Sequence, residues 1–189
     1  PQQRSDVSSL FSTRVIQGHE NLRLAAEMIL PSPVLDEFSQ QVEPERTFVR
    51  YEVRLAVRRG DPLSTGLQLR LVNEQLSPIP SAKDHLRFPD SAAYVNRFVH
   101  GAHKFFPLST TEENGNTIIQ VQNGSRGRPR KIAANNAQRT VLSATASAEN
   151  PIILAAQAEM RSWRFVALEP SAMRAPDDVV EARPISATG

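Results

Sequence analysis

Two neighbouring segments alternate apolar and polar residues with a period of two, and this pattern constrains the fold more than any other feature. In TFVRYEVRLAVR, charged residues alternate with the apolar series Val49, Tyr51, Val53, Leu55 and Val57. LQLRLVNEQL repeats the alternation after the turn-forming residues RGDPLSTG. Because successive side chains of a strand point to opposite faces, the two segments predict an antiparallel hairpin with one buried face.

Other segments carry helix and loop signals. Residues 1–45 are predicted to be helical, since GHENLRLAAEMIL places Leu22, Ala25, Ala26 and Ile29 at helical spacing. Asp90 is suited to cap a helix over 90–106, and Asn150 followed by a proline predicts a further helix. The polar stretch STTEENGNT is predicted to be a mobile loop.

The composition excludes several classes of protein. The 189 residues are 40% hydrophobic and 22% charged, which suits a folded chain with a genuine core. Without cysteine the chain forms no disulfide and performs no thiolate chemistry. It has no apolar run of about 18–20 residues and no signal-peptide layout at its start, so we expect a cytoplasmic protein with no membrane partner.

The order of elements predicts an α+β fold with antiparallel pairing, not a parallel nucleotide-binding sheet. We expect an antiparallel strand meander and a hairpin packed with several helices, forming a single α+β segment over residues 1–189. Its expected parts are 1–45 (helical), 46–77 (strand meander), 90–106 (helix), 117–136 (basic hairpin) and 150–189 (helix, strand and irregular tail).

The octapeptide GSRGRPRK, residues 124–131, concentrates positive charge: its basic residues are Arg126, Arg128, Arg130 and Lys131. Read alone it is similar to an AT-hook, an arm that lies in the minor groove of A·T-rich DNA. The flanking segments TIIQVQ and RKIAA and the Asn123–Gly124 pair instead predict the tip of a hairpin. Two interpretations follow: a solvated basic loop, or a hairpin that contacts DNA phosphates.

Signatures of catalysis are scarce. The pattern GxxxxGK[ST] is absent, since none of the eight glycines is followed by lysine, and there is no GxGxxG. Trp163, the single tryptophan, is expected to anchor the core, and Glu74 is expected to be a solvated or ion-paired rim residue. Arg174 lies between Pro170 and Pro176, which suits either a structural ion pair or a contact with phosphate or carboxylate.

The segment RTVLSATASAENPIILAAQAEMRSWRFVALEPSAMRAPDD resembles the middle of a family of predicted bacterial ATPases. These are AAA-family proteins of the RecF/SMC-like, ABC-type branch, some of them found in phage-defence and DNA-repair contexts. The resemblance rests on a Leu-Ser pair, a helix, a strand with Trp163, and the element Pro170, Arg174 and Pro176. The strand meander occupies the family's meander position, including Glu74 at the end of the second strand.

This resemblance implies the non-catalytic central part of an ABC/SMC-like ATPase head that acts in DNA-related processes such as repair or phage defence. ATP and Mg²⁺ would be cofactors of the parent protein, whose Walker A and Walker B segments would lie outside residues 1–189. No nucleotide-site residue of the family falls on this sequence. The implied partners are the remainder of the head or a second protomer, and DNA. The alternative is a nucleic-acid-binding module that uses residues 124–131.

Overall fold

In the part of the chain that a computed structural model describes, more residues lie in antiparallel strands than in helices. The described residues are 11–18, 20–59, 67–80, 86–87, 91–101, 105–123, 127–137, 139–145 and 147–164. The chain divides into two compact units, Pro1–Glu159 and Met160–Gly189, and both sheets lie in the first unit.

Eight strands and four helices occupy the described residues. The strands are β1 (Leu22–Ile29), β2 (Val34–Leu35), β3 (Gln41–Val42), β4 (Phe48–Arg59), β5 (Leu67–Pro78), β6 (Leu108–Glu113), β7 (Asn116–Val121) and β8 (Arg130–Ala133). The helices are α1 (Thr13–Ile16), α2 (Ser91–Phe98), α3 (Val141–Ala144) and α4 (Pro151–Ser162). One sheet has the order β1-β4-β5-β6-β7-β8, and β2 and β3 form a second. The predicted α+β class with antiparallel pairing is confirmed.

The hairpin predicted from the alternating segments is confirmed as β4 and β5. The two strands pair antiparallel from Val49 opposite Pro78 to Arg59 opposite Leu67. The register shifts between Arg54 and Leu55, where β5 carries one extra residue. In the six-stranded sheet, β1 pairs antiparallel with the edge of β4 that faces away from β5.

The prediction that residues 1–45 are helical is wrong for residues 22–42, where the structure has the strands β1, β2 and β3. Leu22–Ile29 is a strand, β1, whose residue Ala26 lies opposite Tyr51 of β4. The segment satisfies both periods, since Leu22, Leu24, Ala26 and Met28 also alternate. Its alanine and glutamate favour helix only weakly, and the pairing with β4 overrides that preference.

The prediction of a mobile loop over STTEENGNT is also wrong. This stretch contains all of β6 except its first residue, the start of β7 and the two-residue turn between them. Asn114 and Gly115 take φ angles of 52° and 75°, the left-handed geometry that an Asn-Gly hairpin turn requires. The predicted hairpin over 117–136 is confirmed, because β7 pairs antiparallel with β8 and Ile119 lies opposite Ile132.

Helix α2 ends at Phe98, eight residues before the predicted end at 106. Thr47 closes it: the Thr47 hydroxyl donates to the Phe98 carbonyl at 2.7 Å and accepts the His100 N–H at 2.8 Å. Gly101 then has a φ of 96°, which stops a helix from continuing. Helix α4 begins directly after Asn150, as predicted.

The core includes side chains from β5, β6, β7 and α4. Leu76, Leu108 and Ile119 have no exposed surface, and Ile153 and Ala155 of α4 are buried with them. Each buried leucine or isoleucine stabilises the fold by about 1.5–3 kcal/mol. A smaller cluster surrounds Phe48 and Ile79, where Val95 and Val99 from the region of α2 pack.

Candidate functional site

Glu74 is fully buried in the middle of β5, with none of its surface exposed. The expectation of a solvated or ion-paired rim residue is therefore wrong. The register places Glu74 opposite Val53, on the same face of the sheet as Leu76. Placing a carboxyl group in such surroundings costs several kcal/mol unless donors satisfy it, so the hydrogen bonds of Glu74 decide its role.

Both carboxylate oxygens of Glu74 accept hydrogen bonds. Oε2 accepts the Val141 N–H at 2.7 Å, and Oε1 accepts the Leu142 N–H at 2.8 Å and the Tyr51 hydroxyl at 3.1 Å. Val141 and Leu142 are the first two residues of α3, whose amides have no acceptor within a helix. Thr140 completes the cap, since its hydroxyl accepts the Ser143 N–H at 3.2 Å. Glu74 is thus a capping residue supplied by a distant strand.

The main chain of Glu74 is bound by Thr110 of β6. The Glu74 N–H donates to the Thr110 hydroxyl, which donates to the Glu74 carbonyl, both at 2.8 Å. Between β5 and β6, the backbone pairing places Leu76 opposite Leu108. The Thr110 side chain therefore takes the place of a backbone partner where the two strands separate.

Gln157 extends this network from α3 to α4. Its Nε2 donates to the Leu142 carbonyl at 3.1 Å and to the Ser143 carbonyl at 3.0 Å, two of the groups that a short helix leaves without partners. Tyr51, Glu74, α3 and Gln157 thus connect the sheet to both C-terminal helices. We call this set the Glu74 network.

Burial raises the pKa of Glu74, although the N–H groups of Leu142 and Val141 and the hydroxyl of Tyr51 act in the opposite direction. Burial and the neighbouring Glu74 likewise raise the pKa of Tyr51 far above its ordinary range. Since Glu74 has no exposed surface, it offers no access to a substrate. The chemistry of the network is therefore to hold elements together, not to transfer a proton to a ligand.

A second cluster of charged residues surrounds Glu52 on the opposite face of β4. Glu52 accepts from Arg23 at 2.6 Å and from Arg54 at 2.9 Å, and Arg50 lies 3.6 Å away and also pairs with Glu27. The hydrogen bond from Arg23, with that from Arg54, lowers the pKa of Glu52 to about 2, although burial acts in the opposite direction. On this face of the sheet, two carboxylates thus pair with three arginines.

The basic hairpin brings only part of its predicted set together. Arg126 lies outside the described residues, and Arg128 and Arg130 are exposed. Arg130 and Lys131 are consecutive residues of β8, so their side chains leave opposite faces of the strand. Lys131 forms an ion pair with Glu113 at 2.5 Å. The predicted residues therefore do not form one continuous basic surface in the described part.

The C-terminal residues singled out by the resemblance are only partly described. Trp163 is 47% exposed, so its predicted role as a core anchor is wrong. Pro170, Arg174 and Pro176, and the predicted strand from residue 165 onward, lie outside the described residues.

A pocket of about 300 Å³ lies beside the start of α4. Phe105 and Ile152 give it an apolar lining, and three glutamates also line it: Glu43, Glu45 and Glu149. Within the described ranges, no three histidine, aspartate or glutamate side chains are grouped to hold a metal ion. In the same ranges, no helix is long and apolar enough to cross a membrane.

Comparisons with protein-family models, with curated proteins and with solved structures found no match to this chain. The class that the fold itself defines is an α+β protein built on a six-stranded antiparallel sheet. Within it, sequence reasoning singled out Glu74 but missed Thr110 and Gln157. Thr110 is one of two consecutive threonines in its strand, and this local pattern does not indicate a hydrogen bond to the main chain of Glu74.

Proposed function

We propose that this chain is a non-catalytic lobe of a larger RecF/SMC-like, ABC-type ATPase, acting in DNA-related processes. The observation that carries the proposal is the contact between Glu74 and the α3 residues Val141 and Leu142. Glu74 and the Leu142–Ser143 pair are two separate elements of the family resemblance. Their direct contact supports the idea that both belong to one structural device, which fixes the helical part of the lobe to its sheet.

The chemistry of the described residues also favours a structural role. The carboxyl group of Glu74 is fully buried, and the Glu52 carboxylate forms ion pairs with Arg23 and Arg54. The sequence has no GxxxxGK[ST] segment to cradle phosphates. ATP and Mg²⁺ would therefore be bound by the remainder of the ATPase head, and the partner of this lobe would be that remainder or a second protomer.

The test is ATP hydrolysis by the longer polypeptide carrying Glu74→Ala or, as a matched control, Glu149→Ala. Glu149 is an exposed glutamate, so its loss should leave turnover unchanged. Loss of the Glu74 network should lower the active fraction by about a hundredfold near the unfolding temperature of the unmodified protein, because two buried amides lose their acceptor. The KM for ATP should stay the same in the folded fraction. A raised KM in a fully folded Glu74→Ala protein would contradict a non-catalytic role.

A second candidate function is contact with nucleic acid through the β7–β8 hairpin. The exposure of Arg128 and Arg130 favours it, since exposed guanidinium groups pair readily with phosphate. If both contact phosphates, Arg128→Ala/Arg130→Ala should reduce the slope of log K against log[salt] by roughly 2. Arg97→Ala, which removes an exposed arginine of α2, is the control. An unchanged slope in the double variant would exclude the hairpin as the contact.

A further inference from the structure

A cleft of about 340 Å³ opens between β5 and β6 beyond the bridge that Thr110 makes to Glu74. The strands separate there because a side chain, not a backbone group, joins them. Arg70 and Val72 of β5, Thr111 and Glu112 of β6, and Thr117 of β7 line the cleft. Its size is at the lower end of the range for small-molecule sites.

Arg70 is the cation of this cleft, and its guanidinium is incompletely satisfied. Arg70 lies opposite Ala56, and so on the same face as Arg54. Arg54 is paired with Glu52, whereas the buried Nε of Arg70 has no hydrogen-bond partner. An unsatisfied buried donor costs about 1–3 kcal/mol, so a ligand that provides an acceptor gains from relieving it.

One hydroxyl group of the cleft supplies a further donor. The Thr111 hydroxyl accepts from Gln120 Nε2 at 3.3 Å, which leaves its own proton available. Thr117 also lines the cleft, but it lies opposite Glu112 whereas Thr111 lies opposite Ile118, so the two side chains leave opposite faces of the sheet. The hydroxyl of Thr110 is already used by Glu74. Glu112 is exposed at the edge of the cleft, where its charge opposes an anion without blocking it.

We propose that the cleft binds the oxyanion of a ligand, a carboxylate or a phosphate, through the guanidinium of Arg70 and the hydroxyl of Thr111. A planar guanidinium suits either group, because its N–H donors match two oxygens at once. The Nε atom is closed off from solvent, so binding requires the Arg70 side chain to move into the cleft. This site is independent of the function proposed above and stands or falls separately.

The test observes the arginine Nε–H signals of the 189-residue chain by NMR while inorganic phosphate, acetate or chloride is added at constant ionic strength. The Arg70 signal, assigned by its loss in Arg70→Gln, should shift and saturate with phosphate or acetate but not with chloride. The anion that saturates at lower concentration identifies the source as phosphate or carboxylate. Arg54→Gln, which removes an arginine of the same face, should leave the titration unchanged.

Two further comparisons test the role of Arg70 and the effect of the Glu112 charge. The amide shift of Thr111 should lose its response at least tenfold in Arg70→Gln, about the effect of losing one charge-assisted contact. Glu112→Gln should strengthen binding, because it removes the opposing charge. The proposal is overturned if neither anion gives a saturable shift, if the threonine response survives in Arg70→Gln, or if Glu112→Gln weakens binding.

Discussion

Glu74 in β5 accepts the amide N–H of Val141, 67 residues further along the chain, at 2.7 Å. This bond and its neighbour from Leu142 place the start of α3 directly over the sheet. Gln157 then holds the end of the same helix from α4. A helix of four residues is too short to be stable on its own, so its position depends on these side chains.

Glu74→Ala should lower the free energy of unfolding by roughly 3 kcal/mol or more. The substitution leaves two buried amides and the Tyr51 hydroxyl without their acceptor, and each unsatisfied donor costs about 1–3 kcal/mol. Urea unfolding at constant m-value measures the change. The exposed Glu149→Ala should stay within about 0.5 kcal/mol of the unmodified chain. Equal midpoints for the two variants would show that the capping bonds contribute nothing.

The sequence predicted those parts of the fold that local pattern determines. Strands β4 and β5 follow from alternation, and α4 from Asn150 with the proline after it. Leu22–Ile29 is not predictable in this way, because its residues fit two periods and only the pairing with β4 decides between them. Position 74 was identified but not its burial, because the donors that make burial tolerable lie near residue 141 and no local pattern connects them.

Acid should weaken the fold through Glu52. Arg23 and Arg54 lower the pKa of Glu52 from 4.5 to about 2. A lowered folded-state pKa means that the stabilisation is present above about pH 4.5 and is lost as the pH falls towards 2. Glu52→Gln should flatten the stability profile in that window, as measured by urea unfolding at a series of pH values. The partners Arg23 and Arg54 are exposed, so high salt should reduce the effect. A Glu52→Gln profile parallel to that of the unmodified chain would contradict this account.

Glu74 should contribute pH dependence of the opposite sign. Because its pKa is raised in the folded chain, the folded state binds the proton more tightly than the unfolded state does. The resulting stabilisation is present below the unfolded-state pKa and is lost as the pH rises through the folded-state value. The stability difference between the unmodified chain and Glu74→Gln should therefore be larger in acid than at neutral pH. A difference that grows with pH would reverse the assigned direction.

Gly101→Ala should be strongly destabilising, by about 2 kcal/mol or more. A Cβ at this position would lie 2.1 Å from the Glu45 carbonyl oxygen, and the φ of 96° is itself strained for alanine. Gly115→Ala is the matched control: its φ is 75°, but a Cβ there meets no atom within 4 Å. It should cost about 1–2 kcal/mol from strain alone. Thermal unfolding of the two variants compares them, and a smaller loss for Gly101→Ala would show that the backbone at Glu45 gives way freely.

The proposal that this chain is a non-catalytic lobe of an ATPase is tested most directly by phosphate release from Mg·ATP, measured for the 189-residue chain alone and for the longer polypeptide that contains it. The account predicts turnover by the longer polypeptide and none above the protein-free blank for the isolated chain. ATP hydrolysis by the purified 189 residues, or a longer polypeptide that neither binds nor hydrolyses ATP, would contradict it.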